Sequence, residues 1–191
     1  HGQKTKVLLG PWDHSRFAFA GIATENAVVL RQVLGSLAGQ GLFWHADVWS
    51  RLATAAADKK SSSALDLLWD GTGASRNRFP ISVLAQFAEA AAAAGNSHVL
   101  AEVMDAVYTV GYFNPDQWRR LIDIAISGTS GDVARCLWLK SIPSRTNLWS
   151  VVYGLFGSLA SAVKDANMLE EVFDAWTPSP DTLGGEYPEH A

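Results

Sequence analysis

The stretch ISVLAQFAEAAAAAGNSHVLAEVMDAVYTVGYFNPDQWRR, residues 81–120, decides the fold class of this chain. Its first part, Ile81 to Ala94, is rich in alanine, which is the best helix former, and carries no β-branched run. The following Gly95-Asn96 predicts the end of that helix, because this pair tolerates a left-handed backbone. Ser97 is expected to cap a second helix that ends near Val110. The stretch therefore predicts two successive helices joined by a short turn.

The same organisation continues towards the C-terminus. Asp116 is expected to cap a helix that runs through Ile126, and Asp132 to cap another that ends near Lys140. No segment between these helices alternates apolar and polar residues beside a hairpin dipeptide. The sequence therefore predicts an all-α protein.

Tryptophans and their substitutes recur at fixed intervals. Trp69 lies twenty residues after Trp49, Trp138 twenty after Trp118, and Val103 twenty after Val83, which itself lies 34 after Trp49 and 35 before Trp118. Small and apolar residues recur at fixed distances after Trp49, Val83 and Trp118. Seven residues later stand Ala56, Ala90 and Ala125, and sixteen residues later stand Leu65, Val99 and Ala134. These spacings predict an α-solenoid of antiparallel helix pairs, with a period of about 34 residues and roughly four units.

Energetics requires such units to stack. Burying one Trp or Leu side chain contributes about 2–3 kcal/mol, whereas ordering each residue of a unit costs about 1 kcal/mol or more. A lone helix pair therefore cannot fold, and about three or more must share their apolar faces.

The predicted helical-repeat domain covers residues 12–181, with units at about 12–46, 47–80, 81–115, 116–146 and 147–181. In the first unit, Asp13 is expected to cap a helix over 15–24, and residues 71–78 are expected to form a loop between units. Residues 1–11 are predicted to be a leader, disordered or left over from cloning. Residues 182–191 are predicted to be a tail or linker, because they contain glycine and proline.

Composition excludes several classes of protein. The 191 residues are 48% hydrophobic and 18% charged, with a net charge of -4, so the chain is not disordered throughout. No apolar run approaches the ~20 residues that span a bilayer, so no membrane is predicted among its partners. The single cysteine, Cys136, excludes an internal disulfide framework and fits a reducing intracellular compartment.

Residues that could carry chemistry are sparse. His14, His45 and His98 lack the spacing of zinc ligands and are predicted to be surface or capping residues. Cys136 is predicted to be a buried structural thiol. The sequence predicts no catalytic residue, no metal site and no cofactor, and hence no enzyme. Clustered acidic residues with strongly shifted pKa values in a pocket would contradict this prediction.

One unit resembles those of a known family. The run Trp118-Arg119-Arg120-Leu121-Ile122-Asp123, then Gly131, Ala134 and Leu137, resembles a pentatricopeptide repeat, as does Val83 through Gly95, Met104, Gly111 and Pro115-Asp116. The resemblance covers roughly residues 47–181, with a weaker extension to about 12. The related tetratricopeptide family shares the Trp, Leu, small and aromatic residues at offsets 0, 3, 16 and 20. The glycine it expects at offset four is replaced by Ala53, Phe87 and Ile122.

In the pentatricopeptide family each unit reads one RNA base with two side chains. The resemblance assigns the first of these to Ser50, Leu84, Arg119 and Ser150, and the second to about Phe79, Asn114, Arg145 and Ser179. These residues depart from the family's usual pairs of a small polar residue with Asn or Asp. What the resemblance implies is therefore contact with the RNA backbone, in organelle RNA metabolism that is often mitochondrial, or assembly within a larger ribonucleoprotein.

Charge is distributed unevenly along the chain. Arg119 to Arg145 holds five basic residues against Asp123 and Asp132, a net +3, and two more arginines precede it in an inter-unit loop. The candidate RNA-backbone contacts are therefore Arg76, Arg78, Arg119, Arg120, Arg135 and Arg145. Residues 165–189 carry seven acidic and no basic residues and could dock a basic protein. The candidate partner-binding residues are Trp44, predicted to be exposed in a loop, with Glu170 and Glu171. Ordinary solvated helix faces are the alternative reading of both segments.

Two functions follow from these observations. The first is a non-catalytic module of an RNA-processing or ribonucleoprotein assembly, mitochondrial by resemblance, with single-stranded RNA and proteins as partners, within a larger chain or complex. The second is a protein-interaction scaffold of the tetratricopeptide type that binds no nucleic acid.

Overall fold

The computed structural model describes residues 9–142 and 150–176, and the regular structure within them is entirely helical. Ten α-helices follow one another: α1 (Pro11–Ala23), α2 (Ala27–Gly39), α3 (Ala46–Asp58), α4 (Ser62–Thr72), α5 (Ile81–Ala93), α6 (Ser97–Val110), α7 (Pro115–Gly128), α8 (Gly131–Lys140), α9 (Ser150–Ala162) and α10 (Ala166–Trp176). A 3-10 helix, Gly73–Arg78, follows α4 in place of the predicted loop. With no strand in the described residues, the all-α prediction is confirmed.

Each odd-numbered helix packs against the even-numbered helix that follows it, which gives five pairs where roughly four were predicted. Neighbouring pairs also pack in chain order. Helices α1, α3, α5, α7 and α9 contact one another successively, and so do α2, α4, α6 and α8. Side-chain bonds from Arg135 and Trp138 to Glu171 link α8 to α10. The buried core consequently runs through all five pairs.

Helix starts recur at nearly constant intervals. The odd-numbered helices begin at residues 11, 46, 81, 115 and 150, so that successive starts are 35, 35, 34 and 35 residues apart. The even-numbered helices begin at 27, 62, 97, 131 and 166, with the same four intervals. Residues can therefore be compared between pairs by their position counted from the start of their helix.

This counting corrects the register predicted for the third pair. Trp49 and Trp118 are both fourth residues of their helices, and Trp69 and Trp138 are both eighth. The fourth residue of α5 is Leu84 and the eighth of α6 is Met104, both fully buried. The predicted equivalents Val83 and Val103 stand one residue too early, because each is an apolar residue directly before the equivalent one.

Short polar side chains begin the even-numbered helices. Each accepts a hydrogen bond from the backbone amide three residues ahead, as helix caps do: Asn26 from Val29, Ser61 from Ala64, Asn96 from Val99, Ser130 from Val133 and Asp165 from Met168. The predicted caps Ser97 and Asp132 lie inside α6 and α8 instead, because the side chains of Asn96 and Ser130 accept from the free amides there.

Two odd-numbered helices also start before their predicted caps. Asn114, not Asp116, caps α7: its side chain and that of Gln117 each accept from the other's backbone amide, both at 2.9 Å. In α1, Asp13 is the third residue and accepts from the amide of Gly10 at 3.2 Å. The helix therefore starts at Pro11, whose fixed φ suits a first turn.

One residue in every turn within a pair adopts the left-handed conformation. The five are Glu25, Lys60, Gly95, Thr129 and Lys164, with φ between 50° and 69°. Gly95 was the one predicted from the sequence, because glycine has no Cβ to oppose this backbone.

The eleventh residue of each odd-numbered helix is small. These residues are Gly21, Ala56, Ala91, Ala125 and Ala160, and all are buried. A Cβ on Gly21 would lie only 3.3 Å from the backbone nitrogen of Leu30, in the partner helix. The two helices of a pair thus approach closely at this level, and a larger side chain would separate them.

Large aromatic residues stand two positions before α3, α5 and α7, and all three are buried: Trp44, Phe79 and Phe113. The rings of Trp44 and Phe113 meet those of Trp49 and Trp118 edge-on, with centroids 4.8 and 5.9 Å apart. This is the hydrophobic staple, in which the residue before the cap packs on the fourth residue of the helix. The predicted exposure of Trp44 is therefore wrong: it is 6% exposed, and its indole donates to the carbonyl of Pro11 at 3.0 Å.

None of the helices described combines the length and apolar composition that crossing a bilayer requires.

Candidate functional site

The polar centre of the second and third pairs is a cluster of Trp69, Arg76 and Glu102, called the first Trp–Glu–Arg cluster below. The indole of Trp69, on α4, donates to Glu102 Oε2 on α6 at 2.6 Å. Arg76, on the 3-10 helix, donates to the same oxygen at 3.2 Å, and its guanidinium lies 4.7 Å from the centre of the Trp69 ring. One carboxylate thus satisfies a buried indole and is neutralised by an arginine.

A second Trp–Glu–Arg cluster, Trp138, Arg135 and Glu171, joins the fourth and fifth pairs. Trp138, on α8, donates to Glu171 Oε2 on α10 at 2.7 Å, and Arg135 donates to Glu171 Oε1 at 2.6 Å. This hydrogen bond raises the pKa of the Arg135 guanidinium above its ordinary value. Both clusters join an eighth residue to the sixth residue of the next even-numbered helix, 33 residues later.

The other candidate arginines are more exposed. Arg120 lies 3.4 Å from Glu89 on α5, with 63% of its side chain exposed. Arg119 is exposed beside it on α7, and Arg78 is exposed at the end of the 3-10 helix. Arg145 lies outside the described residues. Of the five candidate arginines that can be placed, three therefore contact carboxylates of a neighbouring pair.

The candidate partner-binding residues do not form one surface. Trp44 is buried between the first two pairs. Glu171 belongs to the second Trp–Glu–Arg cluster, whereas Glu170 is exposed on α10.

The base-reading positions implied by family resemblance also differ in environment. Ser50, Leu84 and Phe79 are buried, whereas Arg119 and Asn114 are exposed. The side chains of the remaining positions, Ser150, Arg145 and Ser179, lie outside the description. No regular row of accessible pairs results from the positions that can be placed.

The residues with potential chemistry serve packing. His14 is buried, with ring nitrogens 2.8 Å from the Gly10 carbonyl and 3.1 Å from Ser36 Oγ, so its predicted surface location is wrong. Cys136 is partly buried, 3.6 Å from the carbonyl of Ser97. Burial raises the pKa of its thiol to about 11, which disfavours the reactive thiolate. Within the described ranges, no group of three or more His, Cys, Asp or Glu side chains could hold a metal ion.

The sequence did not single out Glu102, and it placed Glu171 among the candidate partner-binding residues, whereas both glutamates accept a hydrogen bond from a buried indole. A signal was present, because Glu102 follows Trp69 and Glu171 follows Trp138 at the same separation of 33 residues. The chain matches no protein-family model, no curated protein and no solved structure. Its function must therefore be inferred from its own residues.

Proposed function

We propose that this chain is an α-solenoid segment with a period of about 34–35 residues. The nearly constant helix starts, the successive contacts of odd-numbered helices and the recurrence of the Trp–Glu hydrogen bond support the proposal. Each pair buries its apolar faces on its neighbours, as stacked repeats do.

We further propose that the segment is a non-catalytic scaffold for a protein partner. The observation that carries this proposal is the pairing of the two least exposed candidate arginines with carboxylates of the neighbouring unit, at Arg76–Glu102 and Arg135–Glu171. A phosphate backbone needs basic residues whose charge is not already neutralised. The net charge of -4 adds to this argument.

The proposed binding surface is the row formed by the sixth residues of the first four odd-numbered helices, Arg16, Arg51, Gln86 and Arg120, called the odd-helix row below. All four residues are exposed. Two of them reach back to the ninth residue of the preceding odd-numbered helix: Arg51 lies 5.5 Å from the ring of Phe19, and Arg120 contacts Glu89. An extended acidic segment of a partner protein fits such a spaced row of donors.

The scaffold proposal is tested by comparing protein and RNA binding. After nuclease treatment, the tagged chain should retain a protein from a lysate of the cells that produce it. The double variant Arg16→Glu with Arg51→Glu, which reverses two charges of the odd-helix row, should reduce that retention at least about tenfold. Lys59→Glu is the matched control, because Lys59 is exposed in the turn after α3, away from the row.

A titration with mixed single-stranded RNA at low salt completes the test, and we expect no binding. Tight RNA binding that weakens steeply with salt would overturn the scaffold proposal and favour the RNA-processing, mitochondrial alternative implied by the resemblance.

A further inference from the structure

The even-numbered helices bury the same positions in four pairs and expose them in the fifth. The fourth, eighth and eleventh residues counted from each helix start are buried in the first four pairs: Leu30, Leu34 and Leu37; Leu65, Trp69 and Thr72; Leu100, Met104 and Val107; Ala134, Trp138 and Ser141. In α10 the same positions are Leu169, Phe173 and Trp176, which are 45%, 58% and 56% exposed. These positions therefore face the following pair.

The odd-numbered helices show the reverse pattern at the other end. Their seventh residue is buried in the last four pairs, as Leu52, Phe87, Leu121 and Phe156. In α1 the seventh residue is Phe17, which is 49% exposed. This position therefore faces the preceding pair.

The two kinds of position meet each other inside the chain. The ring of Trp69 contacts Phe87 edge-on with centroids 5.2 Å apart, and that of Trp138 contacts Phe156 in the same way at the same distance. Phe156 also lies 5.7 Å from Trp118, the fourth residue of α7. A seventh-position ring thus enters a cradle made by the fourth and eighth residues of the preceding pair.

The last pair carries an equivalent cradle. Tyr153 and Phe173 occupy the positions of Trp118 and Trp138, and they line a groove of about 230 Å³ together with Leu169, Val172 and Trp176. An aromatic ring at the seventh position of a following pair would fit this groove. Phe17 is such a ring, exposed at the opposite end of the same molecule.

One junction inside the chain also has a polar contact between these elements. The capping Asn96 donates to Asp66, the fifth residue of the preceding even-numbered helix, at 2.9 Å. The equivalent residues at the two ends are Asn26, which caps α2, and Glu170, the fifth residue of α10, and both are exposed. The two ends thus match in polar as well as apolar positions.

We propose that two copies of this chain stack head to tail, with α1 and α2 of one copy packed on α9 and α10 of the other. Phe17 of one copy enters the groove beside Phe173 of its neighbour, and Asn26 donates to the neighbour's Glu170. The contact continues the packing between pairs inside the chain, and it rests on the solenoid arrangement proposed above. Because it joins different surfaces, further copies can add at both free ends.

The test is sedimentation of the 191-residue chain over a concentration series. The mean mass should rise above 20.6 kDa with concentration. Phe17→Asp and Phe173→Asp should each remain at 20.6 kDa, because each places a charge in the apolar contact. The matched control is Val110→Asp, which changes an exposed apolar residue at the end of α6 and should assemble like the unmodified chain.

Mixing the two blocked variants gives the decisive result. The Phe17→Asp copy keeps an intact α9–α10 face, and the Phe173→Asp copy keeps an intact α1 face. Head-to-tail packing therefore requires a one-to-one complex of about 41 kDa, twice 20.6 kDa, that grows no further. Circular dichroism with urea denaturation checks that both variants fold.

Three results would overturn the proposal: an unmodified chain that stays monomeric up to about 1 mM, blocked variants that do not combine, or Phe17→Asp dimers without a partner variant. Failure here is separable from failure of the scaffold proposal. A monomeric chain that captures its protein partner contradicts only the stacking, and a stacking chain that binds RNA contradicts only the scaffold.

Discussion

The junction between the second and third pairs differs from the junction that follows it. At the first, Trp69 donates its indole to Glu102. At the second, the equivalent positions hold Met104 and Cys136, and no indole is donated. The polar contacts between α6 and α8 there include Tyr108, which donates to the Lys140 carbonyl, and Lys140, which pairs with Asp105 at 2.6 Å. An acceptor glutamate occurs where the preceding pair supplies a buried indole donor, because an unsatisfied buried N–H is costly.

The tryptophans of the odd-numbered helices extend this comparison. Trp49 and Trp118 are as buried as Trp69 and Trp138, yet their indole nitrogens have no hydrogen-bond acceptor in the described structure. Tryptophan thus has two roles here. Trp49 and Trp118, in odd-numbered helices, fill volume, whereas Trp69 and Trp138, in even-numbered helices, also join neighbouring pairs through a carboxylate.

The largest expected effect comes from deleting a junction tryptophan. Trp138→Ala removes the ring that packs on Phe156 and the donor to Glu171, so we expect the free energy of unfolding to fall by about 3–5 kcal/mol. Urea denaturation followed by circular dichroism measures it. Leu139→Ala, at the exposed neighbouring residue, should cost less than about 0.5 kcal/mol. If both variants lowered the free energy of unfolding equally, Trp138 would contribute no more to stability than an exposed residue does.

A smaller effect separates the two roles of tryptophan. Trp69→Phe loses a hydrogen bond to a carboxylate, worth about 1.5–3 kcal/mol, whereas Trp49→Phe removes an N–H that has no acceptor. Trp69→Phe should therefore lower the free energy of unfolding by about 1–2 kcal/mol more than Trp49→Phe does. The same urea titration decides the comparison, and a larger loss for Trp49→Phe would reverse the assigned roles.

The smallest effect concerns Cys136, which occupies the acceptor position where no indole is donated. Burial raises the pKa of its thiol to about 11, with a smaller opposing effect from Lys140. At pH 8 the folded chain should react with iodoacetamide about 100-fold more slowly than the urea-unfolded chain, since two pKa units reduce the thiolate 100-fold.

The pH dependence of stability follows from the same shift. The folded thiol keeps its proton to higher pH than the unfolded thiol does. Below the pKa of the unfolded thiol this difference leaves the free energy of unfolding at its full value, and the free energy of unfolding falls as pH rises towards about 11. Cys136→Ser should lack this loss. In the iodoacetamide experiment, a reaction rate of the folded chain that stops rising near pH 9 would show that folding does not raise the pKa of the Cys136 thiol.

Helical periodicity was sufficient to predict the fold class and the approximate place of most helices. The exact register was not accessible, because Val83 and Leu84 are both apolar and both buried, and only the helix starts distinguish them. Several predicted helix caps were wrong for a related reason. Several neighbouring side-chain oxygens can accept from a free amide, and the backbone geometry selects one of them.

The candidate site was less predictable than the fold. The arginines were recognised as a basic group, but their carboxylate partners stand in other pairs, at separations of 26, 31 and 36 residues for Arg76, Arg120 and Arg135. Trp44 was assigned to a loop surface because its neighbours are Phe43 and His45, whereas the staple with Trp49 buries it. Such long-range partners become visible once the pairs are aligned by helix start.

The left-handed turn residues have a consequence for engineering. Four of the five turns place Glu25, Lys60, Thr129 and Lys164 at positive φ, where a side chain opposes the backbone and glycine does not. We therefore expect glycine at these four turns to raise the melting temperature of the chain, because all four side chains are exposed and their removal leaves the packed surfaces unchanged.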